Sequence, residues 1–219
     1  MTDLRKLYDA VVNGDRKTSV TVTREALAEG VDPLILVKQY MIPAMDEVGK
    51  RFECEDYFVP ELLLAARAMK ASLELLRPLL AASGAQPAGR VVIGTVKGDL
   101  HDIGKNLVAS MLEGGGFAVV DLGADVPPEE FIDAVKTHQA DIVCLSALLT
   151  VTMPSMRTTI EALKQAGVRE RVKIMVGGAP VTRQFAEEIG ADGYGDNAAG
   201  AVALARSLIG APETDPAIR

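Results

Sequence analysis

The chain has no tryptophan, and all its aromatics together make up only 4% of 219 residues. Its core must therefore be built from Ala, Val, Leu, Ile and Met, because apolar residues of all kinds reach 48%. Cysteine is nearly absent as well. Cys54 and Cys144 are the only two, and no CxxC pair or Cys/His cluster supplies a structural zinc site. Cys144 lies in the apolar run Ile142-Val143-Cys144-Leu145, the setting of a buried free thiol. Lys and Arg form no block, and the net charge of -7 excludes a broad nucleic-acid surface. No stretch of about 18 apolar residues is present to span a bilayer. Met1-Thr2-Asp3-Leu4-Arg5 lacks the basic start and apolar run of a signal peptide. A reduced, cytoplasmic protein with no nucleic-acid or membrane partner is the expectation.

Two hydrophobic periods divide the chain. Residues 1–82 read as helix after helix: Leu4, Leu7, Tyr8, Val11 and Val12 recur at helical spacing until Gly14-Asp15 breaks the run. Asp32-Pro33 offers an N-cap followed by proline at the first helical position. The pattern from Leu34 to Phe52 is interrupted by Pro43, which predicts either a kink or two helices. A long helix follows through Leu62, Leu63, Ala66, Met69, Leu73, Leu76 and Leu80. Four or five helices in a bundle are expected. Residues 83–89, rich in Ala, Gly and Pro, form a linker.

From residue 90 to 211 the pattern becomes strand, loop, helix, repeated, ahead of a short tail at 212–219. Strands are expected at Arg90–Val96, Ala118–Leu122, Asp141–Leu145 and Val172–Val176, with a short last one near Gly193-Tyr194. Helices are expected at about His101–Glu113, Pro128–His138, Met153–Ala166, Thr182–Ile189 and Ala198–Ile209. Short apolar strands alternating with amphipathic helices predict a parallel sheet covered on both faces. The fold class is thus α/β: a helical bundle, then a doubly wound five-stranded parallel sheet of the Rossmann or flavodoxin-like kind. Ligands of such sheets bind at the carboxyl ends of the strands.

After the first strand stands Gly98-Asp99-Leu100-His101-Asp102-Ile103-Gly104-Lys105-Asn106. A phosphate-binding loop fails on spacing, with five residues between its glycines instead of four, and Asn106 replaces the magnesium-binding hydroxyl. His101 is one of only two histidines. Its strand-end position, with a carboxylate two residues earlier, suits a metal ligand whose second ring nitrogen is held by Asp99. His138, at a helix end, has no such surroundings and is expected at the surface.

Asp99-x-His101-x-x-Gly104 resembles the signature of base-off, His-on cobalamin-binding domains. That family pairs it with Ser-x-Leu and Gly-Gly, and Ser146-Ala147-Leu148 and Gly177-Gly178 follow in order at the ends of the third and fourth strands. The stretch Thr95 to Gly123, and Tyr194-Gly195-Asp196-Asn197-Ala198, are similar to the cobalamin domain of cobalamin-dependent methionine synthase. Gly49-Lys50-Arg51-Phe52 and Phe58-Val59-Pro60-Glu61-Leu62 are similar to the helical cap of the same systems.

The resemblance implies a cobalamin or related corrinoid in the base-off, His-on state, with His101 on cobalt. Gly98, Asp99, Leu100, Asp102, Ile103 and Gly104 would surround that ligand. Ser146, Leu148, Thr150, Gly177 and Gly178 would line the pocket of the displaced nucleotide tail. Ala198 would touch the corrin or its side chains, and Phe52 and Val59 would cover the methyl-bearing face. Thr152 matches a family serine that relays protons with the Asp-His pair, here with threonine in its place.

The resemblance further implies a corrinoid subunit that takes a methyl group onto cobalt and passes it on. A substrate-specific methyltransferase would supply the methyl and a second methyltransferase, of tetrahydrofolate or thiol type, would remove it. A reductive reactivation protein is a further expected partner. Two rivals share the cobalamin motif: the small subunit of a radical mutase, which lacks a helical cap, and a cobalamin-dependent light-sensing regulator. The regulator carries a DNA-binding helix-turn-helix, for which neither room nor basic charge is expected here, and a Trp in its bundle, where this sequence has none.

Overall fold

The structure, a computed structural model, describes residues 2–210; the expected tail at 212–219 lies outside the described residues. These residues fall into two compact units, a helical one of 2–87 with 113–116 and an α/β one of 88–112 with 117–210. No helix among them is long and apolar enough to cross a membrane.

The helical unit holds α1 (Arg5–Val12), α2 (Arg16–Ala28), α3 (Pro33–Ile35), α4 (Ile42–Glu53) and α5 (Val59–Ala82). Asp15 caps α2 by accepting from the Thr18 amide at 3.0 Å, and Asp32 caps α3 through the Leu34 amide at 2.8 Å. Glu61 reaches back to the Phe58 amide at 2.9 Å and fixes the start of α5. The interruption expected at Pro43 is one continuous run that widens into a π-turn at Leu36–Met41 before α4. Pro43 has no N–H to return to the preceding turn, and the wider winding absorbs that lost bond. Leu7, Val11, Met41, Met45, Leu62, Met69 and Leu76 fill the interior. The Ser19 and Ser72 hydroxyls pair there at 2.6 Å, so neither is left unsatisfied.

The α/β unit runs β1 (Arg90–Thr95), α6 (Ile103–Gly114), β2 (Ala118–Asp121), α7 (Pro128–His138), β3 (Ile142–Ser146), α8 (Met153–Gln165), β4 (Lys173–Gly177), α9 (Arg183–Glu188), β5 (Gly193–Gly195) and α10 (Ala198–Ile209). All pairings are parallel and the order is β2-β1-β3-β4-β5. Val92, Val143, Leu145, Phe131, Ile160 and Ile174 belong to one core cluster. Because strand order reverses between β1 and β3, the loops after these two strands flank the topological switch point, where doubly wound sheets open a ligand crevice.

Strand and helix ends differ from the expected ranges by one residue in most cases. The larger shift is at α6, expected from His101 and found from Ile103. The Asp99 carboxylate takes the His101 N–H and the Thr95 hydroxyl donates to the His101 carbonyl, which keeps that residue out of the helix.

Candidate functional site

The loop after β1 carries a buried carboxylate beside a half-exposed imidazole. Asp99 has no solvent exposure, whereas the His101 side chain is 49% exposed. Asp99 Oδ1 accepts from His101 Nδ1 at 2.7 Å and from the His101 amide at 3.0 Å. Its Oδ2 accepts from the Leu148 amide at 2.8 Å, the Leu149 amide at 3.3 Å and Thr152 Oγ1 at 2.6 Å. The single Thr152 hydroxyl proton is shared with the Leu149 carbonyl at 2.8 Å.

Burial alone would raise the pKa of Asp99, but the Thr152 hydroxyl, the two backbone amides and the imidazole outweigh it. They hold the carboxyl well below the usual carboxylate range. An ionised carboxylate can only accept, so the proton between it and the ring sits on Nδ1. The Nε2 lone pair is then left available, and no protein atom engages it among the described residues.

Around this imidazole the usual burial pattern reverses. Leu100, Ile103 and Val151 are 76%, 81% and 80% exposed, and Leu148 and Leu149 are also open to solvent. A side chain added at Gly104 would meet no atom within 4 Å. The loop after β3 supplies Leu148, Leu149, Thr150 and Val151 from one side, and the loop after β1 supplies Leu100, His101 and Ile103 from the other. Clustered exposed apolar side chains at a switch point mark a surface that something apolar covers. No group of three or more His, Cys, Asp or Glu among the described residues could hold a bare ion. A lone imidazole suits a metal whose remaining positions are filled by its own chelate.

Of the residues singled out from sequence, Gly98, Asp99, Leu100, His101, Asp102, Ile103 and Gly104 come from the β1 loop and the start of α6. Leu148 and Thr152 meet Asp99 directly. Ser146 lies opposite Thr95 at the end of β3, and Thr150 is exposed in the following loop. Gly177 ends β4 and Gly178 follows it. A Cβ on Gly178, whose φ is 132°, would fall 1.9 Å from the Ala147 carbonyl oxygen. The close neighbour that demands a glycine there is thus the chain's own backbone. Ala198 is buried at the first turn of α10. Phe52 and Val59 belong to the helical unit, at the end of α4 and the start of α5; Val59 and its neighbour Phe58 are exposed.

Several residues escaped the sequence reading. Thr95, fully buried, donates to the His101 carbonyl at 3.0 Å. The Leu148 and Leu149 amides carry no side-chain signature at all. Leu149 and Val151 were legible only as an apolar pair inside Leu148-Leu149-Thr150-Val151, and that spacing resembles strand core. Lys105 is almost fully buried against both oxygens of Asp121 and Asn106 Oδ1. It pins the first turn of α6 to the end of β2.

Two family profiles described as "B12 binding domain" match residues 89–203 and residues 3–77. The chain is 44% identical over 208 residues to trimethylamine corrinoid protein 1 of Methanosarcina acetivorans, covering 94% of this chain and 96% of that one. It is 42% identical over 207 residues to dimethylamine corrinoid protein 1 of the same organism, covering 94% and 97%. Among solved structures it is similar to the methanol:cobalamin methyltransferase complex of Methanosarcina barkeri. There the TM-score is 0.83 at 31% identity, over 97% of this chain and 81% of that one.

Proposed function

This chain belongs to the family of B12-binding corrinoid proteins, and we propose that it carries methyl groups from a methylated amine to a second methyltransferase. One observation carries the reading: a half-exposed imidazole whose Nδ1 is tied to a buried anionic carboxylate, leaving Nε2 open within a ring of exposed apolar side chains. That donor and the open space beside Gly104 suit a corrinoid, whose cobalt His101 Nε2 would hold. When bound, the cobalt supplies a centre that accepts a methyl group and yields it again.

The chain's own residues do the rest. Asp99 keeps the proton on His101 Nδ1 and raises the electron density at Nε2. Thr152 stabilises the Asp99 charge and is positioned to exchange a proton with the pair. Leu100, Ile103, Leu149 and Val151 would meet the apolar rim of the macrocycle and exclude water from the axial bond. Ser146, Leu148, Thr150, Gly177 and Gly178 would line the path of a displaced nucleotide tail, with Gly98, Asp102 and Ala198 beside the ring. Phe52 and Val59, in a cap of residues 1–82, would shield the methyl-bearing face. Residues 83–89 would let that cap move aside, and 90–211 would form the cobalamin-binding domain. The names of the relatives favour tri- or dimethylamine as the methyl source, delivered by a substrate-specific methyltransferase. A folate- or thiol-type acceptor enzyme and a reductive reactivation protein complete the expected cytoplasmic partners.

Reconstitution of the full chain with hydroxocobalamin should give the absorption spectrum of base-off corrinoid with imidazole on cobalt. His101→Ala should lose that imidazole signature; an unchanged spectrum would falsify the ligand assignment. Reduced protein should be methylated by trimethylamine or dimethylamine methyltransferase. Failure with both enzymes, in a sample that binds the corrinoid normally, would overturn the assignment of the donor.

A further inference from the structure

Asp125 occupies a conformation that most residues avoid. Its φ is 57°, and only Glu55 and Gln139 join it among the non-glycine residues described. A left-handed non-glycine residue is strained, less so for Asp than for most, and persists where its surroundings demand it. The surroundings here are the loop that presents His101. The Asp125 N–H donates to the Asp99 carbonyl at 2.9 Å. Asp125 Oδ1 accepts from the Gly98 amide at 2.8 Å, and its carboxylate pairs with Lys97 Nζ at 3.4 Å. The next residue, Val126, bridges to Val96.

Backbone and side chain of one residue therefore clasp 97–99 from the β2 side. Thr95 holds the other end of the loop through the His101 carbonyl. Between these two anchors runs the short segment that carries the imidazole, its His101 N–H held by the Asp99 carboxylate. A ligand loop held this way reaches a fixed distance above the sheet before any cofactor arrives. A displacement of the clasp would move Asp99 and His101 together.

We propose that Asp125 is a positioning residue for the axial ligand. Acting through Gly98 and Asp99, it sets how far His101 reaches and hence what fraction of the bound corrinoid carries imidazole on cobalt. This rests on His101 being that ligand. Asp125 bonds to Lys97, Gly98 and the Asp99 carbonyl, so it acts on the imidazole through the loop that carries it. The side chain, not the turn, carries the role: glycine would adopt the same φ without strain and keep the N–H bond to Asp99, while losing the contacts to Gly98 and Lys97.

The test compares wild type, Asp125→Gly, Asp125→Asn and His101→Ala, each the full chain reconstituted with hydroxocobalamin and reduced to cobalt(II). With 15N-labelled histidine in each protein, a two-line nitrogen splitting in the electron paramagnetic resonance spectrum reports imidazole on cobalt, apart from the three-line splitting of the cofactor's own base, and the cobalt(II)/cobalt(I) midpoint potential reports its strength. Asp125→Gly should show a several-fold larger population without the two-line splitting and a potential shifted positive. Urea unfolding of the same apo variant should show stability equal to or above wild type. Asp125→Asn, which keeps the oxygen that accepts from Gly98, should restore both readouts. His101→Ala should lose the splitting entirely. If Asp125→Gly keeps the wild-type splitting and potential while His101→Ala loses the splitting, the role of Asp125 is overturned and the ligand assignment stands. If His101→Ala keeps the splitting, both fall.

Discussion

The helical unit and the strand-end rim of the α/β unit draw on the same small set of apolar residues and place them oppositely. In the helical unit Leu7, Leu36, Met45, Leu62 and Met69 are inside, and the one buried polar pair, Ser19 with Ser72, is neutral and self-satisfied. At the rim the charge is inside and the apolar groups are out: Asp99 is fully buried while Leu100, Ile103 and Val151 face solvent. Burying a carboxylate is costly unless donors surround it, and five here do. Exposing several large apolar side chains together is equally unfavourable for a protein that stays bare. The first region is shaped by its own stability and the second by what it must receive.

Three single substitutions and one double change press on that contrast, the single ones with stability effects that fall in order. Leu62→Ala, at a fully buried site in the helical unit, should cost about 3 kcal/mol in the urea transition of that unit. Corrinoid bound through His101 should leave that cost unchanged; a cost that vanished in the loaded protein would break the division of roles. Ser19→Ala leaves the Ser72 hydroxyl without its buried partner and should cost about 1 kcal/mol. The double change of Ser19 and Ser72 to Ala should recover much of that loss, because no orphan remains. Val151→Ser should change apo stability by less than about 0.5 kcal/mol, since the side chain touches mostly water. Its effect should appear in cofactor binding instead, as about five-fold weaker retention of hydroxocobalamin, from about 1 kcal/mol of apolar area no longer covered. Equal retention by Val151→Ser and wild type would show that the exposed ring is not the surface the macrocycle covers.

Much of this was legible before any coordinates. Period and punctuation separated the helical half from the strand-loop-helix half, because apolar spacing of 3.6 and short apolar runs between Gly, Pro and Asp are written in side chains. Asp99, His101, Ser146, Leu148, Gly177 and Gly178 were visible as a motif for the same reason. The π-turn at Leu36–Met41 was not: Pro43 announces a lost hydrogen bond but not how the helix absorbs it. Nor was the reason for Gly178, since a close approach to the Ala147 carbonyl depends on how two strand ends meet.

What the sequence by itself determined is the order of elements, the parallel sheet, and the pairing of His101 with Asp99, two residues apart in one loop. Only the tertiary structure decided how that pair is held. The Leu148 and Leu149 amides, the Thr152 hydroxyl and the Asp125 clasp reach the β1 loop from other turns of the chain. Side-chain periodicity records local burial, whereas a backbone amide has no residue type and a contact 27 or 53 positions away has no spacing to read. The strand order that sets β2 and β3 on either side of β1 makes those contacts, and with them the open nitrogen of His101.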